Sequence, residues 1–127
     1  MTKTQTVKNL RFQAKKDMES AIDLFKSNHY DWSLFLWHLA IEKVLKAKII
    51  LIDKKIVFTH NLVRLAKDAE IPISDNFENE LKEITSYNIA ARYDDYKLSF
   101  YKKADPSYTK KWTKICVRVY NFIIKSL

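Results

Sequence analysis

Two groups of side chains in this sequence are equipped for chemistry. The first is His38, Glu42 and Lys46, each four residues after the last, which a helix lines up on one face. A metal site wants at least three ligands and His38 with Glu42 supplies two, so a His and a Glu paired inside a helical core are expected, with no metal and no cofactor. The second is the stretch Tyr87 to Tyr101, YNIAARYDDYKLSFY, which gathers one Arg, two Asp and four Tyr and lacks a clean helical period. It is expected to be a connecting loop, free of packing duty and able to aim its groups at a ligand. Arg92 offers a planar fork suited to phosphate or carboxylate, and Tyr93 and Tyr96 offer stacking faces. The competing expectation is structural, with Arg92 bracing the fold through Asp94, Asp95 or Glu42.

Other chemistries are excluded by what the chain lacks. It has no glycine at all, so the phosphate-cradling loops of the Walker and dinucleotide-binding types cannot be built. Cys116 is the only cysteine, which rules out an internal disulfide and suits a reducing cytoplasm. Flanked by Ile115 and Val117, it is expected to fill core space. No stretch is long and apolar enough for a membrane span, and Met1 to Lys16 carries no signal-peptide core. A formal charge of +8 favours anionic partners. The excess crowds the last third, at Lys97, Lys102, Lys103, Lys110, Lys111, Lys114 and Arg118.

The elements that must position these groups are helices. Apolar residues at Val7, Leu10, Ala14, Met18, Ala21, Ile22 and Phe25 have the spacing of one helix face. Asn28 follows as a left-handed cap, and Asp31 is expected to cap a second helix from Trp32 to about Ile52. That second helix is apolar nearly all round, so it is either central or half of a dimer interface, with Trp32, Phe35, Leu36 and Trp37 as the exposed patch. A short helix over Asn61 to Ala69 ends at Pro72. A fourth helix begins near Asp75, whose spacing to Glu78 suggests a capping box, and fades near Asn88. Asp105 and Pro106 start a last helix, with the face Tyr108, Trp112, Ile115, Val119 and Phe122. The fold expected is a single all-α domain over 1-127, an antiparallel up-and-down bundle of about five helices.

Three pieces in order resemble the HEPN family, the higher eukaryotes and prokaryotes nucleotide-binding domain. They are the central string Ala40 to Ala47 (AIEKVLKA), His60-Asn61-Leu62, and Ala91 to Asp95 (ARYDD). The family's A-x-E-K-x-L-K-A is met in full, its H-D-L is met with Asn61 in the middle, and its R-Y-P-D is met at Arg92, Tyr93 and Asp95 with Asp94 in place of proline. The resemblance covers nearly the whole chain. It implies a helical bundle that is commonly dimeric and often encoded beside a minimal nucleotidyltransferase as a toxin and antitoxin pair.

Many relatives implied by that resemblance are metal-independent ribonucleases, with an Arg followed a turn or so later by a His. Here the corresponding positions hold Lys97, Leu98 and Ser99. A lysine ammonium is a poor proton acceptor unless strongly desolvated. The expectation is therefore a noncatalytic domain that forms a homodimer and binds a nucleotide, an RNA or a nucleotidyltransferase through Arg92, Tyr93, Asp95, Tyr96, Glu42 and Lys46. A ribonuclease using Arg92 with His38 or Lys97, or a purely structural interaction bundle, are the alternatives. Glu42 is expected to approach Arg92, since a carboxylate on so apolar a helix is costly to bury unpaired.

Overall fold

A chain without glycine must make its turns from residues that bear a Cβ, and it does so with one device used three times. A computed structural model describes residues 1–127 as six helices: α1 (Lys3–Lys26), α2 (Tyr30–Leu51), α3 (Leu62–Asp68), α4 (Asp75–Arg92), α5 (Asp94–Lys103) and α6 (Pro106–Ile124). The residues just past the ends of α1, α2 and α3 are Asn28, Asp53 and Glu70, with φ of 65°, 62° and 59°. Each is followed by an amide that reaches back across the turn: His29 to Leu24, Lys54 to Ile49 and Ile71 to Ala66. These are Schellman closures, which satisfy the last carbonyls of a helix and normally use glycine at the left-handed residue.

The helix starts are equally explicit. Thr2 accepts from the Gln5 amide while Gln5 returns the bond to the Thr2 backbone, so α1 begins at Lys3, earlier than the Val7 periodicity indicated. Asn61 lies outside α3 as its cap and accepts from Arg64, and Asp105 accepts from Tyr108 with Pro106 opening α6. Two expected caps shift. Ser74, not Asp75, caps α4 by accepting from Phe77, and α2 starts at Tyr30 with no side-chain cap, leaving Asp31 in its first turn.

Cross-helix pairs fix the topology. Between α1 and α2, Lys43 meets Asp17 at 2.6 Å and the Ser33 hydroxyl donates to the Ala21 carbonyl at 2.7 Å. One partner number rises as the other falls, so these helices are antiparallel. Phe77 against Phe122 and Tyr87 against Tyr108 set α4 antiparallel to α6 in the same way. Trp37 against Tyr120 and Lys48 against Ser126 run α6 parallel to α2. The long helices therefore go up, down, up and down, with α3 and α5 as short bridging pieces.

α2 is the axis of the bundle and touches α1, α3, α4, α5 and α6. That contact explains its apolar circumference within one chain: Leu34, Trp37, Ile41, Val44, Leu45 and Ile49 are all fully buried. The apolar patch expected on this helix is thus mostly covered. Trp37 is enclosed and Phe35 and Leu36 are half-buried, leaving Trp32 the exposed member. α6 is rotated from its expected face, burying Thr109, Cys116, Val119, Tyr120 and Ile123 while Phe122 stays outside. Cys116 is fully enclosed and burial pushes its thiol well up, as suits a space filler.

The stretch expected to be a loop is helical. α4 runs on to Arg92, and only Tyr93 leaves helical geometry, with φ −101° and ψ 129°, before α5 begins at Asp94. The period is invisible in sequence because α5 buries a single residue, Phe100. Its ends are nevertheless matched to the helix dipole, with Asp94 and Asp95 in the first turn and Lys102 and Lys103 in the last. Substituting glycine for Glu70, which is exposed and strained at positive φ, is expected to raise stability by about 0.5–1 kcal/mol, measured as a higher urea midpoint at unchanged slope.

Candidate functional site

Glu42 is the organising group. It sits midway along α2 at 5% exposure, and each carboxylate oxygen has its own partner. Lys46, one turn on, donates to Oε2 at 3.0 Å. His60, from the connector before α3, approaches Oε1 at 2.7 Å through Nδ1. A carboxylate only accepts, so Nδ1 carries the hydrogen and, in the neutral ring, Nε2 keeps its lone pair. His60 in turn is anchored from behind, because His38 donates from Nε2 to the His60 carbonyl at 3.1 Å. His38 Nδ1 has no partner.

The electrostatics follow from burial. Enclosure by itself would raise the Glu42 carboxyl, but the hydrogen bonds from His60 and Lys46 and the neighbouring positive groups outweigh it and hold it below the usual range. Desolvation lowers His38 and dominates the opposing influences of the His60 carbonyl and Glu42, so that imidazole is held neutral.

His60 reaches the surface in a cleft of about 450 Å³ between the connector and the end of α4, lined also by Asn61, Thr85, Asn88, Ile89, Arg92 and Tyr93. Asn88 is only 7% exposed, and its Oδ1 lacks a partner. Arg92 stands at the cleft's edge and is exposed, with its guanidinium 5.3 Å over the Phe35 ring. It forms no ion pair. The expected approach of Glu42 to Arg92 is therefore overturned: Glu42 finds its positive partners on its own helix and at His60, and Arg92 is secured by an aromatic face. The brace through Asp94 or Asp95 is absent too, since Asp94 pairs with Lys97 at 3.3 Å.

The remaining expected residues separate. Tyr93 joins the cleft, whereas Tyr96 lines a second groove with Ile89, Ala90 and Phe100. Asp95 is exposed, and Lys46 is spent on Glu42. As replacements for the family's histidine, His38 is wholly enclosed and Lys97 is tied to Asp94. His60 stands out in the sequence only within its motif, and its pairing with Glu42 has no sequence signal because the two meet only through the fold; Asn88 gives no signal either. The basic crowd thins as well, with Lys103 paired to Glu83 and Arg118 to Glu80, while Lys102, Lys110, Lys111 and Lys114 stay unpaired. No group of three or more His, Cys, Asp or Glu side chains is arranged to hold a metal.

The HEPN domain profile matches residues 7–127. The chain belongs to the HEPN domain family. No curated protein matches it. The crystal structure of TT1696 from Thermus thermophilus is similar, with a TM-score of 0.82 at 16% identity over 95% of this chain and 98% of that one, a likeness of fold. In this HEPN domain the departure from R-Y-P-D has a local explanation. Asp94 is the first residue of α5, where proline is well suited, and an acidic residue there is also favourable to the helix start.

Acid is expected to unfold the protein in two stages. Below about pH 6.5 the unfolded chain takes a proton that folded His38 refuses, and below about 4.5 it takes one that folded Glu42 resists, so stability falls with pH in both windows. Urea midpoints followed by circular dichroism between pH 7.5 and pH 3 should show both losses, and Glu42→Gln should flatten the lower one while deepening the upper, because the Glu42 charge opposes the lowering of His38.

Proposed function

We propose that this HEPN domain binds a nucleotide or RNA by its phosphate in the cleft between His60 and Arg92, without cleaving it. The observation that carries the reading is the unpaired guanidinium of Arg92 at the edge of a cleft whose other wall holds His60 at a fixed orientation. Family membership supports a nucleotide-related or RNA-related role in general terms. An exposed Arg with no carboxylate partner has its N–H edges free for a phosphate fork.

A second reading, ribonuclease activity, is favoured by one observation. The Glu42 to His60 contact leaves His60 Nε2 as a proton acceptor, the role that neither His38 nor Lys97 can fill. In that reading the ribose 2′-oxygen loses its proton to His60 and bonds to phosphorus, the bond to the 5′-oxygen breaks, and the proton passes to that leaving oxygen.

Partners complete the proposal. A homodimer is proposed on the α5 side, where Tyr93, Tyr96, Leu98 and Tyr101 are each more than half exposed, in place of the covered face of α2. A minimal nucleotidyltransferase partner, a toxin and antitoxin pairing and a cytoplasmic setting are proposed from the family and the lone cysteine. No helix is long and apolar enough to cross a membrane.

Arg92→Ala is expected to weaken nucleotide or RNA binding about tenfold, and binding should fall steeply with salt as phosphates release counterions. A remote change at Lys3, which pairs with Asp53, should have no comparable effect. Labelled RNA incubated with the protein should stay intact; cleavage that vanishes in His60→Ala would replace the binding reading with the nuclease. Sedimentation at micromolar concentration is expected to show a dimer that Tyr96→Glu dissociates, and a clean monomer would remove the self-association claim.

A further inference from the structure

Arg92, at the edge of the cleft, also lies against an aromatic pair on α2 that the phosphate-binding reading leaves unused. Trp32, Phe35, His38, Glu42 and Lys46 recur at intervals of three or four residues, so one stripe of the helix runs from its first turn into the polar cluster. Trp32 keeps 45% of its surface exposed. Its ring stands edge-on to Phe35, with centroids 5.8 Å apart and planes at 89°. The Arg92 guanidinium lies over that same Phe35 ring at 5.3 Å. Half-buried Phe35 thus has both an indole and a cation as direct neighbours.

This arrangement differs from an ordinary surface ion pair. An Arg fixed by a carboxylate has spent part of its N–H fork, whereas one fixed by a ring keeps all five donors for an anion. An exposed indole beside it offers a broad π-face at low entropic cost, since it has few rotatable bonds and is already braced by Phe35. Stacking faces beside a phosphate-binding cation are the elements that hold unpaired bases, because every base presents a π-face and none in a duplex is free to use it.

Resting on the anion-binding reading above, we propose that the ligand of this site is a phosphate carrying an unpaired nucleobase, with the base on Trp32 and the phosphate on Arg92. A nucleoside monophosphate and a residue of single-stranded RNA share that chemistry. A bare phosphate or a continuous duplex does not.

The test is a titration of the full chain with ribose 5-phosphate, adenosine monophosphate, a short single-stranded oligoadenylate and a duplex RNA, following affinity and tryptophan fluorescence. Adenosine monophosphate or the oligomer should bind at least tenfold more tightly than ribose 5-phosphate and quench fluorescence, and the duplex should bind weakly. Binding by the monophosphate assigns a free nucleotide, and binding by the oligomer alone assigns RNA. Trp32→Ala should cost about tenfold for the base-bearing ligand and nothing for ribose 5-phosphate, while Trp32→Phe should keep most of the affinity but lose the quench. Trp37 is enclosed, so it does not supply that signal. Equal affinity for adenosine monophosphate and ribose 5-phosphate, or a Trp32→Ala loss shared by both, would overturn the proposal while leaving the phosphate site standing. Failure of every ligand to bind, with Arg92→Ala indistinguishable from the parent, would overturn both.

Discussion

A carboxylate placed inside a helical bundle must find positive partners or shed its charge, and Glu42 does the former with two residues of different kinds. Lys46 comes from the same helix and reaches outward. His60 comes from a connector that is also tied down at Ile56, which packs on the core, and at Leu62, whose amide donates to the Thr85 hydroxyl. By taking its Nδ1 hydrogen, Glu42 holds that connector against the axis of the fold, and His38 clamps its carbonyl from the neighbouring turn. The cleft between the connector and α4 owes its shape to this arrangement. The bond from His60 to Glu42 fixes the His60 ring in the wall of the cleft that Arg92 borders.

The charge of the molecule is distributed in a way that supports such a site. Several of the lysines and arginines that crowd the sequence are neutralised by neighbours, among them Lys43, Lys103 and Arg118. The same is not true of Arg92, which has traded a carboxylate for the Phe35 ring. A cation held by an aromatic face stays available to an incoming anion, whereas one held by an acid must first be released. The hydrogen-bonded chain from Tyr87 through Tyr108 to Glu83, which Lys103 also joins, ties α4 to α6 in the turns that precede Arg92.

Much of the fold was legible because helices announce themselves at their ends and along their faces. The long helices, the positive-φ Asn28 and the Asp105 and Pro106 start followed from local rules, while the apolar girth of α2 left a central helix and a dimer helix equally open, and only its neighbours in the fold make it central. α5 did not, because a helix with one buried residue carries no stripe, and the rules for periodicity depend on burial. The site was legible in some of its members and in none of its pairings but that of Glu42 with the neighbouring turns of its own helix. Glu42 and Arg92 were visible as site residues and His60 only as part of a motif, and charge alone suggested Glu42 with Arg92. The contact that formed depends on where a connector with no periodicity of its own comes to rest, and a histidine quoted for a motif became the partner. Asn88, on a helix thought to be fading, left no trace in the pattern.

The junction at Tyr93 has a consequence for how the molecule comes apart. A single extended residue separates α4 from α5, serving as the end of one helix and the start of the next, and beyond it α5 is fastened by Phe100 stacked on Tyr87 and little else in the core. Amide protection from hydrogen exchange scales with the buried contacts an element must break to open. With so few buried contacts of its own, α5 is expected to exchange faster than α2 wherever no partner covers it. Because that extended residue adjoins Arg92, the least anchored helix of the fold begins at the rim of the cleft.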